Sequence, residues 1–147
     1  EGSFGYKLND KVEFDSLNFN LEDAVKNKLY NGGPVDNNFL NFIHNDKELS
    51  GEKIKIKNKI FLGGDYDEIK LKMDHDTIKC KFFIGYSGWS PNQLESEIKD
   101  NSWIVINDFD LDLVFNIIDQ KSWQKVLSKN SLKNKIFSNY PPDSTLN

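Results

Sequence analysis

Cysteine occurs once in this chain of 147 residues, at Cys80, so no internal disulfide can staple the fold. Exposure between Lys79 and Lys81 would lower the thiol's pKa, but the surrounding apolar run reads as a strand that hides a small residue. No apolar stretch approaches the ~20 residues that a helix needs to span a bilayer, so no helical membrane anchor is expected. No leader-type pattern of a charged start, an apolar stretch and a small-residue cleavage site is visible. Histidine occurs only at His44 and His75. Asp74-His75-Asp76 could attract a divalent cation weakly, but without a second clustered His or Cys it lacks a ligand set, so no metal site and no cofactor are expected. Gly63-Gly64-Asp65 lacks the spacing and the Lys-Ser/Thr ending of a phosphate loop. A positive surplus is missing too. The net charge is −4, with lysines and acids interspersed, which argues against direct nucleic-acid binding. The one basic stripe, Lys121, Lys125 and Lys129 with Lys133 and Lys135 beyond, reads as a solvated helix face.

What is present suits one globular domain. Hydrophobic residues make up 37% of the chain, and eleven Phe, five Tyr and three Trp can fill a core of modest aliphatic content. A chain this long buries roughly two thirds of its unfolded surface and folds without staples. Residues 1–9 read as a strand with Phe4, Tyr6 and Leu8 on one face. Leu21, Ala24, Val25 and Leu29 predict a helix over 18–30, with Asn20 as its N-cap. Gly32-Gly33-Pro34 is a turn. Phe39 to His44 predicts a buried strand, followed by strand at Ile54, Ile56 and Ile60 to Leu62, broken at 57–59. Asp65 caps a helix through Met73, with Ile69 and Met73 inward. Ile78 to Tyr86 and Trp103 to Ile106 predict strands. Leu111, Val114, Phe115 and Ile118 mark one C-terminal helix. Trp123, Val126 and Leu127 mark another, capped by Ser122. The tail around Pro141-Pro142 is extended. Strands and helices mix without strict alternation, which predicts an α+β domain.

The densest local signal is Phe82-Phe83-Ile84-Gly85-Tyr86-Ser87-Gly88-Trp89-Ser90-Pro91-Asn92-Gln93-Leu94-Glu95. It reads as an apolar strand, a glycine-bracketed turn and a helix start. Ser90 and Gln93 fit a capping box, Pro91 suits the first helical position, and Leu94 with Ile98 supplies the inward stripe. Such a strand–turn–helix layout presents backbone N–H groups to an anion. The run is not a G-x-S-x-G elbow, because Trp89 stands where the last glycine belongs. A serine-hydrolase reading would need Ser87 as nucleophile and His44 as base. The plain alternative is that the glycines permit a strained turn, Trp89 plugs the core and His44 is a hydrogen-bonded packing residue.

Three stretches together resemble the AlgH/YqgE family of small bacterial proteins. Tyr30-Asn31-Gly32-Gly33-Pro34-Val35 is similar to its GGPV signature, with His44 following. Phe83 to Glu97 is similar to its GYxGWxxxQLxxE signature, with Trp103 beyond. Phe115 and Trp123 match its C-terminal Phe-to-Trp spacing, and Glu1 to Asn9 resembles the segment after its first strands. Two positions depart from the pattern: Asp10, where the family often has a basic residue, and Ser87, where alanine is common. The resemblance implies a single AlgH-like domain over 1–147, without the family's N-terminal strands, an absence that would expose a sheet edge. It implies an α+β fold with a mixed, strongly bent sheet forming a barrel-like core flanked by helices, in a cytoplasmic protein. The family's name derives from a proposed role in regulating transcription of polysaccharide genes, but no reaction or ligand is inherited from it.

The expected function is therefore a non-enzymatic regulatory or small-ligand-binding protein, acting indirectly on transcription. Its site would gather Gly32, Gly33, Pro34, His44, Gly85, Tyr86, Gly88, Trp89, Ser90 and Gln93 around a small polar or anionic ligand. A weak protein partner is a further expectation. The alternative is a hydrolase with His44 as general base and Glu95 or Glu97 as its carboxylate partner.

Overall fold

The computed structural model describes residues 2–13, 21–57, 59–107, 109 and 111–130, with side chains in the last helix as far as Val126. Its framework is a mixed, strongly curled half-barrel sheet of six strands, accompanied by five helices among the described residues. The strands are β1 (Ser3–Gly5), β2 (Leu29–Asn31), β3 (Val35–His44), β4 (Lys53–Lys57), β5 (Ile60–Gly63) and β6 (Cys80–Trp89). The helices are α1 (Asp23–Lys26), α2 (Tyr66–Lys72), α3 (Gln93–Lys99), α4 (Leu111–Asn116) and α5 (Gln120–Asn130). Strand order is β1-β6-β3-β5-β4, and β2 also pairs with β6.

β6 is the axis of the sheet. Its first half pairs in parallel with β2, Leu29 opposite Phe82, and antiparallel with β3, Phe42 opposite Phe82. Its last three residues pair antiparallel with β1, Ser3 opposite Trp89. Alternation along β6 divides the interior. Cys80, Phe82 and Ile84 join Val25, Leu29, Phe42, Leu49, Ile69 and Met73 in one core. Phe83 joins Tyr30, Ile43, Ile60 and Phe115 in the other, with Tyr6, Leu62 and Phe109 packed around it.

α2 forms as its sequence predicts. The Asp65 carboxylate accepts the Glu68 N–H at 2.8 Å, and Ile69 and Met73 are buried. Elsewhere tertiary pairing moves the boundaries. The helix expected over 18–30 is a single turn, α1, because Leu29 is drawn into a parallel ladder with β6; the expected cap Asn20 lies outside the described residues. The first strand is only Ser3–Gly5, after which the chain leaves the sheet and the Lys7 N–H bonds the Gly32 carbonyl at 3.0 Å. β3 starts earlier than expected and is buried only at its end, with Phe39 65% exposed. Residues 85–89 are not a turn but the second half of β6, bent where Gly85 takes φ +67°.

α3 begins two residues later than the capping box implies. Asn92 at φ 65° stands at its N-cap without a side-chain cap bond, and only the Gln93 half of the box forms, accepting the Ser90 N–H at 2.9 Å. α3 buries no residue, and Ile98, expected inward, is exposed. Trp103 to Ile106 is strand-forming in composition, but no strand pairs with it among the described residues, so it stays irregular. α4 buries Phe115, while Ile117 rather than Ile118 turns inward after it. α5 is capped by Asp119, whose carboxylate accepts both the N–H and the hydroxyl of Ser122 at 2.7 Å, so Ser122 lies inside the first turn. The tail and Lys133 and Lys135 lie outside the described residues.

Candidate functional site

The link between β2 and β3 runs against β6 backbone to backbone. A Cβ placed on Gly33 would stand 2.3 Å from the Tyr86 carbonyl carbon, and one on Gly32 2.3 Å from the Gly85 oxygen. At Gly85, positive φ combines with carbonyl oxygens of Gly33 and Val35 within 2.9 Å of a would-be Cβ. The Gly32 N–H bonds the Ile84 carbonyl at 2.8 Å, and the Asn31 side chain accepts the Gly33 N–H at 3.2 Å. The two glycine segments, far apart in sequence, are thus neighbours, but they meet in solid packing. No hollow opens between them.

The hollow lies beside them. A groove of about 760 Å³ is bounded by β1, β3 and the second half of β6. Phe4, Tyr6, Phe39 and Leu62 line it together with Tyr86, Gly88, Trp89 and Ser90. Asp36 and Asn41 bring polar groups, and no lysine lines it. Of the expected site residues, Tyr86, Gly88, Trp89 and Ser90 meet here. Gly32, Gly33 and Gly85 brace the wall from behind, exposed Pro34 begins the turn into β3, and Gln93 sits on α3. The Ser90 N–H is already taken by Gln93 and the helix behind it spans seven residues, so the arrangement does not form an anion site at a helix end.

Trp89 is held rigidly. Its indole N–H and that of Trp103 both donate to Glu97 Oε2, at 3.1 and 2.7 Å, while Gln93 donates to Glu97 Oε1 at 3.0 Å. The Trp103, Gln93 and Trp89 hydrogen bonds hold the Glu97 carboxyl below its ordinary pKa. The sequence offered one signal for this clamp: Gln93 and Glu97 share a helix face at i, i+4.

His44 stands apart from the groove. Asn41 lines the groove, and three residues on, alternation turns His44 to the opposite face of β3. It is fully buried, against Phe42 and Phe61. Nε2 donates to the Gly63 carbonyl at 2.8 Å, and Nδ1 accepts the Asp46 N–H at 3.2 Å. Burial lowers its pKa, against the opposing pull of those hydrogen bonds and Asp46, so the ring is neutral with neither nitrogen free. The Ser87 hydroxyl reaches only the Gly32 carbonyl, at 3.4 Å. Glu95 is exposed, and Glu97 is engaged by the two indoles.

Burial pushes the Cys80 thiol up to about 11, which leaves it inert. Asp74, His75 and Asp76 are exposed, and no cluster of three metal-ligating side chains occurs among the described residues. Nothing in the sequence pattern marks Lys81 as a buried cation. It is 2% exposed, donates to the backbone carbonyls of Leu8 and Ile117, lies over the Tyr30 ring, and is pushed down to about 8 by burial.

A small α+β domain on a curled half-barrel, with a glycine-braced bend beside an aromatic-walled groove, defines the class. The chain belongs to the AlgH-like family, whose model matches residues 1–135. It is 34% identical to a UPF0301 protein of Cytophaga hutchinsonii, over 99% of this chain and 82% of that one. It is 33% identical to a UPF0301 protein of Bacteroides fragilis, over 100% of this chain and 76% of that one. Among solved structures, the AlgH protein from Pseudomonas aeruginosa superposes with a TM-score of 0.65 at 17% identity, over 95% of this chain and 78% of that one. A protein of Corynebacterium diphtheriae superposes at 0.68 and 21% identity, over 95% of this chain and 76% of that one. These likenesses extend to the fold. No helix among the described residues is long and apolar enough to cross a membrane.

Proposed function

We propose that this AlgH-like chain is a non-enzymatic, regulatory protein that binds a small ligand in the groove between β1, β3 and β6. The observation that carries this reading is the groove itself: about 760 Å³, mostly aromatic and aliphatic in lining, with Ser3, Asp36, Asn41 and Ser90 and the two tyrosine hydroxyls as its polar groups. One carboxylate and no cation in the lining favour a polar ligand that is uncharged or cationic, with a flat apolar face for Trp89 or Tyr86. The anionic ligand that the helix start suggests finds no counter-charge here. With a net charge of −4, any regulatory effect on transcription is read as indirect. Both nitrogens of His44 are engaged inside the protein, which weighs against the hydrolytic alternative.

The test is thermal unfolding against a broad metabolite library. A ligand present at about 100 times its Kd stabilises the fold by about 2.7 kcal/mol and raises the melting temperature. The rise is expected to vanish in Trp89→Ala. Tyr86→Leu, a milder change on the same wall, is expected to weaken it. A library in which nothing raises the melting temperature, or a rise that survives both substitutions, overturns the reading.

A further inference from the structure

Beside Trp89 lies a second hollow, of about 460 Å³, which shares Tyr6 and Trp89 with the ligand groove and is otherwise unused by the reading above. All three tryptophans of the chain line it, although they come from β6, the irregular run after α3, and α5. The rings of Trp89 and Trp103 meet at 73° with centroids 5.7 Å apart, which makes a corner. Both indole N–H groups end on Glu97, so the rings are fixed and have no hydrogen bond left for a ligand. What they offer is π surface. The floor includes Leu8 and Ile117, whose backbone carbonyls are both anchored by the Lys81 ammonium.

The polar groups at this hollow are few and specific in kind. Asn9 and Gln120 approach from opposite ends of the chain, and their carboxamides touch at 3.3 Å on the surface. Lys7 is neutralised by Asp10 at 2.6 Å. No carboxylate lines the hollow, so a cation gains no counter-charge there. A sugar ring needs partners for many hydroxyls, and these polar side chains, Tyr6 and Ser87 included, are too few. A flat heteroaromatic ring needs less: a face to stack on and one edge to bond. Adjacent carboxamide groups offer N–H and C=O side by side, which complements the donor–acceptor edge of a purine.

We infer that this three-tryptophan hollow binds an uncharged planar heteroaromatic ring of purine type, stacked on the indoles and bonded at its edge by Asn9 and Gln120. The volume accommodates the base of a nucleoside, whose ribose stays in solvent with its hydroxyls hydrated.

Adenosine is the probe, followed by quenching of tryptophan emission and by calorimetry with the full chain. Saturable quenching is expected. Trp103→Ala and Trp123→Ala should each weaken binding by about tenfold, the scale of losing one stacked ring. Gln120→Leu, an exposed change that leaves the fold intact, should weaken it severalfold. Tyr86→Leu, on the other groove, should leave adenosine binding unchanged, which separates this site from the one proposed above. Glucose should not quench. A short single-stranded oligonucleotide should bind no more tightly than adenosine; tighter, salt-sensitive binding would overturn the small-ligand reading in favour of nucleic acid. No saturable quenching up to about 10 mM adenosine, or quenching that Trp123→Ala and Gln120→Leu both leave intact, overturns the inference.

Discussion

The two halves of β6 are one continuous strand in different company. Cys80 to Ile84 has β2 on one side and β3 on the other, and all five residues are buried. Gly85 to Trp89 has β1 on one side and meets β3 only at Tyr86, and apart from Gly85 its residues are partly or largely exposed. In the first half the side chains are packed inside the protein, most of them in one of two cores. In the second half they line two hollows, with Trp89 as the wall between them. The bend at Gly85 is the boundary. It turns the strand out of the core without ending it, as bulged strands beside binding sites do. The difference separates where stability is stored from where the proposed ligands would be received.

The sharpest way to break this contrast is to truncate one residue in the first half and enlarge one in the second. Phe82 is fully buried between Leu29, Phe42 and Tyr66. Phe82→Ala should cost about 3–5 kcal/mol in urea unfolding, the scale for emptying a well-packed core. Gly88→Ala places a Cβ whose nearest neighbours are the Tyr86 ring, at 3.4 Å, and the Val35 side chain, at 4.0 Å. It should change stability by less than about 1 kcal/mol. Equal losses at the two positions would mean that the second half supports the core as much as the first does.

The same boundary marks what was legible in the sequence. Cys80 to Ile84 is apolar apart from Lys81, and that pattern admits only a strand buried on both faces or a buried helix segment; its shortness decides for the strand. α2 was equally legible, because its signals are local: the Asp65 cap and an inward pair at Ile69 and Met73. The second half of β6 read as a turn because Gly85 and Gly88 are turn residues, and nothing local shows that β1 will pair with them. Leu29 fits a helix with Val25 as well as it fits a strand, and the parallel ladder with Phe82 decides. Trp103 to Ile106 has strand composition but no strand beside it among the described residues, and a strand needs a neighbour to satisfy its backbone. In the candidate site, the meeting of the two glycine segments was legible from their motifs. The far wall was not, since Phe4, Asn41 and Leu62 arrive from three different strands. The role of His44 was decided by burial, which a lone histidine at a strand end does not reveal.

Charge sharpens the comparison at intermediate size. Lys81 lies in the buried half, with no acid beside it, and burial takes its pKa from 10.5 to about 8. A depressed folded-state pKa means that between pH 8 and 10.5 the unfolded chain holds a proton that the folded one has released. The contribution of Lys81 to stability is therefore greatest above pH 10.5 and is lost as pH falls toward 8. A fall from 10.5 to about 8 corresponds to about 3 kcal/mol at most. Burial shifts Tyr6, Tyr30 and Cys80 upward, so their contributions run the other way at high pH, and a variant must isolate the lysine. The stability of the wild type relative to Lys81→Met should rise by roughly 1–3 kcal/mol between about pH 7.5 and 10 in urea unfolding. A difference that does not change with pH would show that the ammonium is hydrated rather than buried, and that this half of β6 is less closed than its packing implies.

The smallest expected effect on stability comes beside the exposed half, at Glu97 on α3. Its carboxylate sets the angle of two indoles but buries nothing, and α3 itself has no buried residue. Glu97→Ala removes the one oxygen that accepts both indole N–H groups. The unfolding midpoint should stay close to that of the wild type, because neither indole N–H is sealed from water. Tryptophan emission should shift, because the rings of Trp89 and Trp103 lose the oxygen that holds them edge to face. Affinity for the ligands proposed above should fall in both hollows together, since Trp89 lines both. Glu97→Gln keeps an oxygen acceptor at the same position and should restore most of the emission and the affinity. An unfolding midpoint that drops as far for Glu97→Ala as for Phe82→Ala would place the clamp among the supports of the fold and erase the division between the two halves of β6.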